Sequence, residues 1–404
     1  MDDVVVIGGG IIGAATAYFL SKEGRKVKVI ERDPTYKKAS FPLSLGGFRR
    51  QFFQKENIML GKFSREFLLN VPSDLKTKNN PSPTVSMVPN GYLLLFGPEH
   101  AQEQYLALEN HKACEAGTKN IKGSELKQVF PYISEEGIET ATYSDTKIEG
   151  WIDPYLFHNA LKNKAIELGA EFIKGDIKSL KEIKANAIVS AAGCWTNELL
   201  DDIPVFPQKH TVFRFKCPKH IPEMPLTGDL TTGVYWRPEG KEYLAGSPKP
   251  VWDAEDLEPE WNDFEELVWP GLAKRISVFE EIKMTGAWAG YYDCNKLDNN
   301  AAVGNHPGYK YVFMASGFTG RGLMQAPGIG RALTELITTG SLNLEPHRVP
   351  ILLELKYNKS LPENCFWFST NNCEKVGFCT TTLPSSLVTI LPEPGLILVL
   401  SLFH

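Results

Sequence analysis

The stretch VVVIGGGIIGAATAYFL, residues 4–20, joins a β-branched run to a glycine-rich turn and an alanine-rich helical pattern. The helical pattern covers residues 11–23 and ends at Gly24, as helices commonly do. The run VKVI at residues 27–30 predicts a second buried strand. A strand, a glycine turn, a helix and a strand in this order predict a βαβ unit, whose two strands are parallel and whose crossover is right-handed.

Three glycines in this stretch, Gly8, Gly10 and Gly13, have the spacing G-x-G-x-x-G, and Glu31 ends the next strand. The first glycine permits a tight turn, the second lets the backbone approach a pyrophosphate, and the third lets the helix pack on the sheet. The carboxylate of Glu31 can accept hydrogen bonds from ribose hydroxyls and disfavours a 2′-phosphate. The motif therefore predicts NAD or FAD rather than NADP, and by itself does not separate the two.

Two later segments favour FAD. The run AIVSAAG, residues 187–193, follows a predicted helix at 154–169 and a short strand AEFI, and it resembles the strand that returns beneath the cofactor in glutathione-reductase-like flavoproteins. In MASGFTGRGLMQAPGIGRALTEL, residues 314–336, glycines precede a predicted helix. The positive end of that helix would stabilise the negative charge that a reduced flavin develops.

Composition favours a two-domain enzyme that binds a small molecule. The chain has 404 residues, of which 43% are hydrophobic and 23% charged, and it is too long for one simple domain. We predict an α/β fold, with a glutathione-reductase-like FAD-binding Rossmann domain and an interleaved α+β substrate domain. The predicted boundaries are 1–79, 148–205 and 287–345 for the FAD domain, 80–147 and 206–286 for the substrate or cap domain, and 346–404 for an atypical, disordered tail.

Other classes of function are disfavoured. The formal net charge is -5, with the basic residues dispersed, so we expect no nucleic-acid partner. The seven cysteines form no C-x-x-C pair and the histidines form no metal-binding spacing, so we expect no metal site. No run of 18 apolar residues predicts a membrane span. The first predicted strand begins at Val4, so we expect no targeting segment in this sequence.

Several segments together resemble the D-amino-acid oxidase family of FAD-dependent oxidoreductases. They are GGGIIGAATAYFL, VIERDPTYKKAS, SLGGFRRQF, AIVSAAGCWTNEL and ASGFTGRGLMQAPGIG, in family order and spacing over about residues 3–345. Within the family, LGGFRRQF, ENIML, GWIDPYLFHNAL and GLMQAPGIGRAL are similar to a mitochondrial member associated with the inner membrane, on its matrix side, and with assembly of respiratory complex I. The resemblance implies that location, and complex I subunits or assembly factors as partners.

The motifs and the resemblance together predict a noncovalent FAD site. Ser44 stands roughly where related dehydrogenases place a histidine that carries the flavin, and Cys294 lies several residues after the attachment cysteine of the oxidases. The predicted cofactor-binding residues are Gly8, Gly10, Ile11, Ile12, Gly13, Glu31, Arg32, Gly47, Ala192, Gly193, Gly317, Gly320, Arg321, Gly322, Leu323 and Met324.

The resemblance also indicates a candidate substrate anchor. In the sarcosine oxidases an arginine holds the substrate carboxylate, and Arg50 stands in its place, with Arg49 as its neighbour. Met324 replaces the lysine that completes this clamp, and Leu244 aligns with the lysine that activates oxygen. Arg321 replaces the usual histidine of the glycine turn. Half of the charge clamp and the oxygen-activating cation are therefore absent.

We predict a dehydrogenase-type FAD oxidoreductase that takes a hydride from a small, amino-acid-like substrate and passes electrons to an acceptor other than oxygen. The sequence offers no histidine or carboxylate dyad as a general base, and a neutral amine substrate requires none. Two alternatives stay open. One is a flavin-binding assembly or interaction protein with little or no turnover, and the other is an NAD-dependent dehydrogenase.

Overall fold

A computed structural model describes residues 2–144, 148–221 and 223–340. In these ranges the chain forms a mixed α/β fold with a six-stranded sheet, a nine-stranded sheet and a two-stranded sheet, which confirms the predicted fold class. The predicted tail at 346–404 lies outside the described residues.

Strands and helices are numbered in chain order. The strands are β1 (Asp2–Ile7), β2 (Val27–Glu31), β3 (Gly47–Phe48), β4 (Tyr92–Phe96), β5 (Thr118–Lys122), β6 (Thr140–Ser144), β7 (Gly150–Trp151), β8 (Glu171–Lys174), β9 (Ala185–Ser190), β10 (Val205–Lys216), β11 (Leu226–Asp229), β12 (Tyr235–Glu239), β13 (Glu242–Gly246), β14 (Val251–Trp252), β15 (Lys283–Asn295), β16 (Ala302–Asn305) and β17 (Val312–Ser316). The helices are α1 (Ile11–Lys22), α2 (Lys55–Leu69), α3 (Val71–Asp74), α4 (Pro98–Ala113), α5 (Leu126–Val129), α6 (Pro154–Glu167), α7 (Trp269–Arg275) and α8 (Gly322–Thr339).

The six-stranded sheet has the order β16-β17-β9-β1-β2-β8. β1 lies in its middle and pairs in parallel with β2 and β9, with Val4 opposite Val27 and Ala187. β16 and β17 form an antiparallel pair at one edge, and β17 continues the parallel sheet beside β9. A strand that has neighbours on both sides and helices over its faces is apolar along its whole length, which explains the buried valine run of β1.

Helix α1 contacts both α6 and α8. Small residues allow its close approach to α8: a Cβ placed on Gly330 would lie 2.7 Å from the main-chain carbon of Ala15. The alanine-rich composition of α1 therefore serves helix packing as well as helix propensity. Among the helices of the described ranges, none is long and apolar enough to cross a membrane.

The nine-stranded sheet has the order β14-β10-β13-β12-β11-β4-β6-β5, with β15 on the other side of β10. Its long antiparallel pair, β10 and β15, runs from Val205 opposite Asn295 to Lys216 opposite Lys283. The predicted boundary at 287 falls inside β15, and the chain leaves this sheet after Asn295. The division into two interleaved domains stays a prediction.

A buried ion pair lies in the large-sheet region, between β11 and α7. Arg275 Nε donates to Asp229 Oδ2 over 2.6 Å, and both side chains are fully buried. The guanidinium also donates to the Glu136 carbonyl oxygen and to Thr231 Oγ1. These extra partners satisfy the buried charge, as a buried ion pair requires.

Candidate functional site

A cavity of about 900 Å³ lies at the carboxyl ends of the central parallel strands, where α/β sheets bind ligands. Its wall comes from segments far apart in the sequence. Of the predicted cofactor-binding residues, the cavity brings together Gly8, Gly10, Ile11, Ile12, Glu31, Arg32, Ala192, Gly193, Gly320, Gly322 and Leu323.

The glycine turn between β1 and α1 forms one end of the cavity. Gly8 has φ +95°, a backbone conformation that favours glycine, and a Cβ there would lie 2.4 Å from the Ala191 carbonyl oxygen. A Cβ on Gly13 would lie only 1.9 Å from the Gly8 carbonyl oxygen. By contrast, a Cβ on Gly10 would meet no atom within 4 Å. Gly8 and Gly13 are thus required by chain packing, whereas Gly10 borders open cavity.

The Glu31 carboxylate is held at the end of β2 by two backbone groups. Gly9 N–H donates to its Oε2 and Asp33 N–H donates to its Oε1, each over 2.7 Å. A carboxylate has about four lone-pair sites, so each oxygen can accept a further hydrogen bond. Because Glu31 lines the cavity, these positions suit the hydroxyls of a ribose.

Arg32 follows Glu31 in the sequence and also lines the cavity. Its guanidinium lies 4.2 Å from the ring centroid of Trp195 and 3.3 Å from Glu198 Oε2. Arg32, Trp195 and Glu198 all line the cavity. A stacked arginine and tryptophan offer a flat surface of the kind that an aromatic base packs against.

The opposite end of the cavity is formed by the turn before α8. Gly317 N–H and Phe318 N–H both donate to Asp293 Oδ2, over 2.8 and 3.1 Å, and Thr319 N–H donates to the Asp293 carbonyl oxygen. Burial raises the pKa of the Asp293 carboxyl to about 6. The first residue of α8, Gly322, lines the cavity, so the positive end of an 18-residue helix faces it.

Aromatic hydroxyls and two guanidinium groups lie near this second end. The ring of Tyr292 lines the cavity, packs 2.5 Å from where Gly320 would carry a Cβ, and its hydroxyl hydrogen-bonds that of Tyr235. Burial and the nearby charge of Arg49 lower the pKa of Arg321 to about 10. Both arginines stay cationic near neutral pH, and in the described part of the chain neither forms an ion pair with a carboxylate.

Arg49 and Arg50 point to different surroundings. The Arg49 guanidinium lies 4.2 Å from the Phe52 ring centroid and within electrostatic reach of Tyr92 and Tyr292. The guanidinium of Arg50 lies instead 3.4 Å from where Gly117 would carry a Cβ, in the field of Glu149, Arg65 and Glu66. The predicted substrate anchor, Arg50, is therefore not among the charged groups that act on Tyr292.

The other predicted residues occupy supporting positions. A Cβ on Gly47 would overlap the Tyr92 hydroxyl, and Gly13 packs on Gly8. Met324 lies on α8 and is buried in the hydrophobic core. Arg321 donates from Nε to the Phe318 carbonyl oxygen and from Nη2 to that of Asn299. These residues shape the turns around the cavity without lining it.

The two positions linked to covalent flavin attachment behave differently. Ser44 lines the cavity, where its hydroxyl donates to the Phe41 carbonyl oxygen. Cys294 is buried, and its thiol donates to Gln208 Oε1. Burial raises the pKa of the Cys294 thiol to about 12, so the reactive thiolate is suppressed.

Sequence reasoning missed several residues at the cavity. Tyr291, Tyr292 and Asp293 line it from β15, and His158 supports the glycine turn from α6. For the three β15 residues, the only signal in the sequence is the run YYDCN at 291–295, in which an aspartate follows two tyrosines near the end of a long strand. Nothing in the sequence distinguishes His158 from an ordinary core residue of a helix. In the described ranges no three His, Cys, Asp or Glu side chains are grouped so as to hold a metal ion.

The residues present fit an FAD molecule. The free N–H groups at the start of α1 and the open space beside Gly10 suit a pyrophosphate. Glu31 suits the adenosine ribose, and the start of α8 suits the electron-rich end of a reduced flavin ring. A volume of about 900 Å³ lies in the upper part of the range for small-molecule and cofactor sites.

Comparison with known proteins agrees with this geometry. The model of the DAO family, described as FAD dependent oxidoreductase, matches residues 3–336. FAD-dependent oxidoreductase domain-containing protein 1 of Bos taurus is 33% identical over 407 residues, covering 85% of this chain and 83% of that protein. Human mitochondrial dimethylglycine dehydrogenase is 24% identical over 427 residues, covering 91% of this chain and 46% of that protein.

A solved structure extends the comparison to three dimensions. L-proline dehydrogenase from P. horikoshii superimposes with a TM-score of 0.74 at 26% sequence identity, covering 84% of this chain and 94% of that one. The family match spans most of the chain, and the cavity has the groups that FAD requires. The chain therefore belongs to the DAO family of FAD-dependent oxidoreductases.

Proposed function

We propose that this oxidoreductase oxidises a small amino-acid-like substrate in the manner of a dehydrogenase, with noncovalently bound FAD. The observation that carries the proposal is the guanidinium of Arg49, whose charge acts on Tyr292 in the cavity wall and on Arg321 in the turn before α8. Arg49 forms no ion pair with a carboxylate in the described chain, and a guanidinium group suits an anionic group such as a substrate carboxylate. Relatives whose names specify proline and dimethylglycine dehydrogenases support the same substrate class.

Bound FAD would supply the hydride acceptor, and the chain would bind and orient the substrate. Burial raises the pKa of Tyr235 and Tyr292, so both hydroxyls stay protonated and serve as hydrogen-bonding groups rather than bases. Burial also lowers the pKa of His210 to about 4, and its neutral ring stacks 3.9 Å from that of Tyr292. These uncharged side chains, with the guanidinium of Arg49 near them, would favour a neutral amine over an ammonium ion.

The substrate anchor can be tested with a matched pair of variants. Arg49→Met and Arg50→Met each remove one of two adjacent guanidinium groups. If Arg49 holds the carboxylate, Arg49→Met should raise the substrate concentration for half-reduction of the flavin about 100-fold, since hydrogen bonds to a charged group contribute up to about 3 kcal/mol. Arg50→Met should change it less than about threefold.

The measurement is anaerobic reduction of the holoenzyme flavin, followed by absorbance, with a panel of N-methyl amino acids, D-amino acids, proline and 2-hydroxy acids. Retained flavin absorbance in both variants is the control for folding and cofactor binding. A large effect of Arg50→Met with none of Arg49→Met would favour Arg50, the anchor expected from sequence, over Arg49. If no member of the panel reduces the wild-type flavin, the proposed substrate class is wrong.

We further propose that oxygen is a poor electron acceptor. Leu244 is buried in an apolar cluster with Leu45 and Val212, so the position aligned with the oxygen-activating lysine holds no charge. Without a cation at this position, negative charge that develops there during oxygen reduction would be poorly stabilised. The reduced holoenzyme should therefore be reoxidised more slowly by air than by an artificial quinone or dye, and the reverse order would contradict the proposal.

A second candidate function is a flavin-binding assembly or interaction protein with little turnover. Two observations favour it: Met324 lies in the core, and Leu244 lies in an apolar cluster, so both family lysines are missing. By resemblance, this role would place the protein at the matrix side of the mitochondrial inner membrane, with complex I subunits or assembly factors as partners. Complex I proteins that co-purify from mitochondria with a flavin that no substrate reduces would favour this function over the first.

A further inference from the structure

His158 is a fully buried histidine that contacts the glycine turn. It lies on α6, stacked on the ring of Phe41 with centroids 4.3 Å apart and edge-on to Tyr36 at 4.6 Å. Its Nε2 lies 2.7 Å from the carbonyl oxygen of Gly9. The ring is therefore held on two sides by aromatic groups and at its tip by the backbone of the turn.

The protonation of this ring follows from its contacts. Burial lowers the pKa of His158 to about 4, and the positive charge of Lys162, one turn along α6, acts in the same direction. A neutral imidazole has one N–H, and a carbonyl oxygen can only accept. Nε2 therefore donates to Gly9, while Nδ1 has no hydrogen-bond partner in the described chain.

This hydrogen bond fixes the orientation of one peptide group. Because a trans peptide is planar, its N–H and C=O point in opposite directions. The Gly9 carbonyl points to His158, so the Gly10 N–H of the same peptide points away from α6. Gly9 N–H is already held by Glu31 Oε2, so both polar groups of Gly9 have side-chain partners. Gly10 in turn lines the cavity and has open space beside it.

We propose that His158 is a positioning residue for the cofactor pyrophosphate, which it serves by locking the Gly9–Gly10 peptide with the Gly10 N–H directed to the cavity. His158 does not touch the cofactor. Its effect on the cofactor passes through the carbonyl group of Gly9. The proposed role of His158 does not depend on which substrate the enzyme oxidises. Loss of the donor would let this peptide rotate and withdraw an N–H from the phosphates.

The chain provides a matched control for this role. His111 is a second buried histidine whose Nε2 lies 2.7 Å from a backbone carbonyl oxygen, that of Phe52. Burial lowers its pKa as well, and its Nδ1 also lacks a partner in the described ranges. It differs from His158 in its backbone partner, because Phe52 is outside the glycine turn and does not line the cavity.

The test compares His158→Met, which fills similar volume without a donor, with His158→Gln, whose amide can restore one, and with His111→Met. For each apoprotein, the dissociation constants of FAD and ADP are measured by titration, and the midpoint of urea unfolding is measured in parallel. His158→Met should weaken both ligands about tenfold, equivalent to about 1.4 kcal/mol. His158→Gln should recover most of this loss, and His111→Met should leave both constants unchanged although it lowers the unfolding midpoint.

Several outcomes would overturn the proposal. If ligand affinity follows the unfolding midpoint across all three variants, His158 acts only through packing. If His158→Met weakens FAD but not ADP, the effect arises elsewhere than at the pyrophosphate. Failure of His158→Gln to recover affinity while it recovers the unfolding midpoint would exclude the hydrogen bond as the cause.

Discussion

Two glycines of the same motif should give separable defects when each is replaced by alanine. Gly10 has φ -63° and ψ -170°, which alanine adopts without strain, and its Cβ would meet no atom within 4 Å. Gly13 lies in α1, and its Cβ would lie 1.9 Å from the Gly8 carbonyl oxygen. The methyl group added by Gly10→Ala would therefore enter the cavity, whereas the methyl group added by Gly13→Ala would overlap the main chain of Gly8.

The magnitudes follow from these distances. Real Cβ atoms essentially never come within 3.0 Å of such an atom, so Gly13→Ala must displace main chain by roughly 1 Å and should destabilise the apoprotein by about 3 kcal/mol. Gly10→Ala should leave the apoprotein unchanged or stabilise it by about 0.5 kcal/mol, because alanine restricts the unfolded chain. Its methyl group would occupy the space for the pyrophosphate, so FAD affinity should fall at least about tenfold.

The assay measures both quantities on the same preparations. Urea unfolding of the apoprotein gives the free energy of unfolding, and quenching of flavin fluorescence on titration gives the FAD dissociation constant. Each variant is the control for the other, since both add one methyl group within the same turn. The reasoning is refuted if Gly10→Ala keeps wild-type FAD affinity, or if Gly13→Ala keeps wild-type apoprotein stability.

Three further substitutions test other parts of the structure. Asp293→Asn removes a carboxyl whose pKa is raised by burial to about 6, so the wild type should lose about 2 kcal/mol relative to this variant as pH rises from 4 to 6.5, in urea unfolding of the apoproteins; a pH-independent difference would contradict the burial effect. Arg275→Met leaves the buried carboxylate of Asp229 without its partner and should lower the free energy of unfolding by about 4 kcal/mol, and a change below about 1 kcal/mol would show that water reaches the site. Gly330→Ala places a Cβ 2.7 Å from the main-chain carbon of Ala15 and should cost about 2 kcal/mol, measured as a lower thermal midpoint; an unchanged midpoint would mean that α1 and α8 separate easily.

Much of the nucleotide-binding half could be predicted because its signals are local. The helix expected at 11–23 is Ile11–Lys22, and the helix expected at 154–169 is Pro154–Glu167. Continuous apolar runs bounded by glycines predict the parallel strands, because a buried strand can be identified from its own residues without knowing which strand it pairs with. The glycine spacing has meaning only in that context, and the context was visible in the sequence.

The substrate side could not be predicted in the same way because it depends on distant pairing. Arg49 and Arg50 directly follow the two-residue strand β3, whose register is set by its pairing with Gly150 and Trp151 about 100 residues later. A one-residue shift in such a strand reverses the side to which each residue points. The position of Tyr292 in turn depends on the pairing of β15 with β10, about 80 residues earlier.

Asp293 belongs to a strand of the nine-stranded sheet, yet its carboxylate holds the turn that ends β17 of the six-stranded sheet. These hydrogen bonds therefore connect the two sheets at the place where the flavin ring would lie. A hinge motion between them would break two backbone hydrogen bonds to a buried carboxylate, so we expect substrate to enter by movement of the short segments at the cavity rim. The amides of Gly317 and Phe318 should then exchange with deuterium as slowly as those of the central strands, and rapid exchange would indicate that the sheets do swing apart.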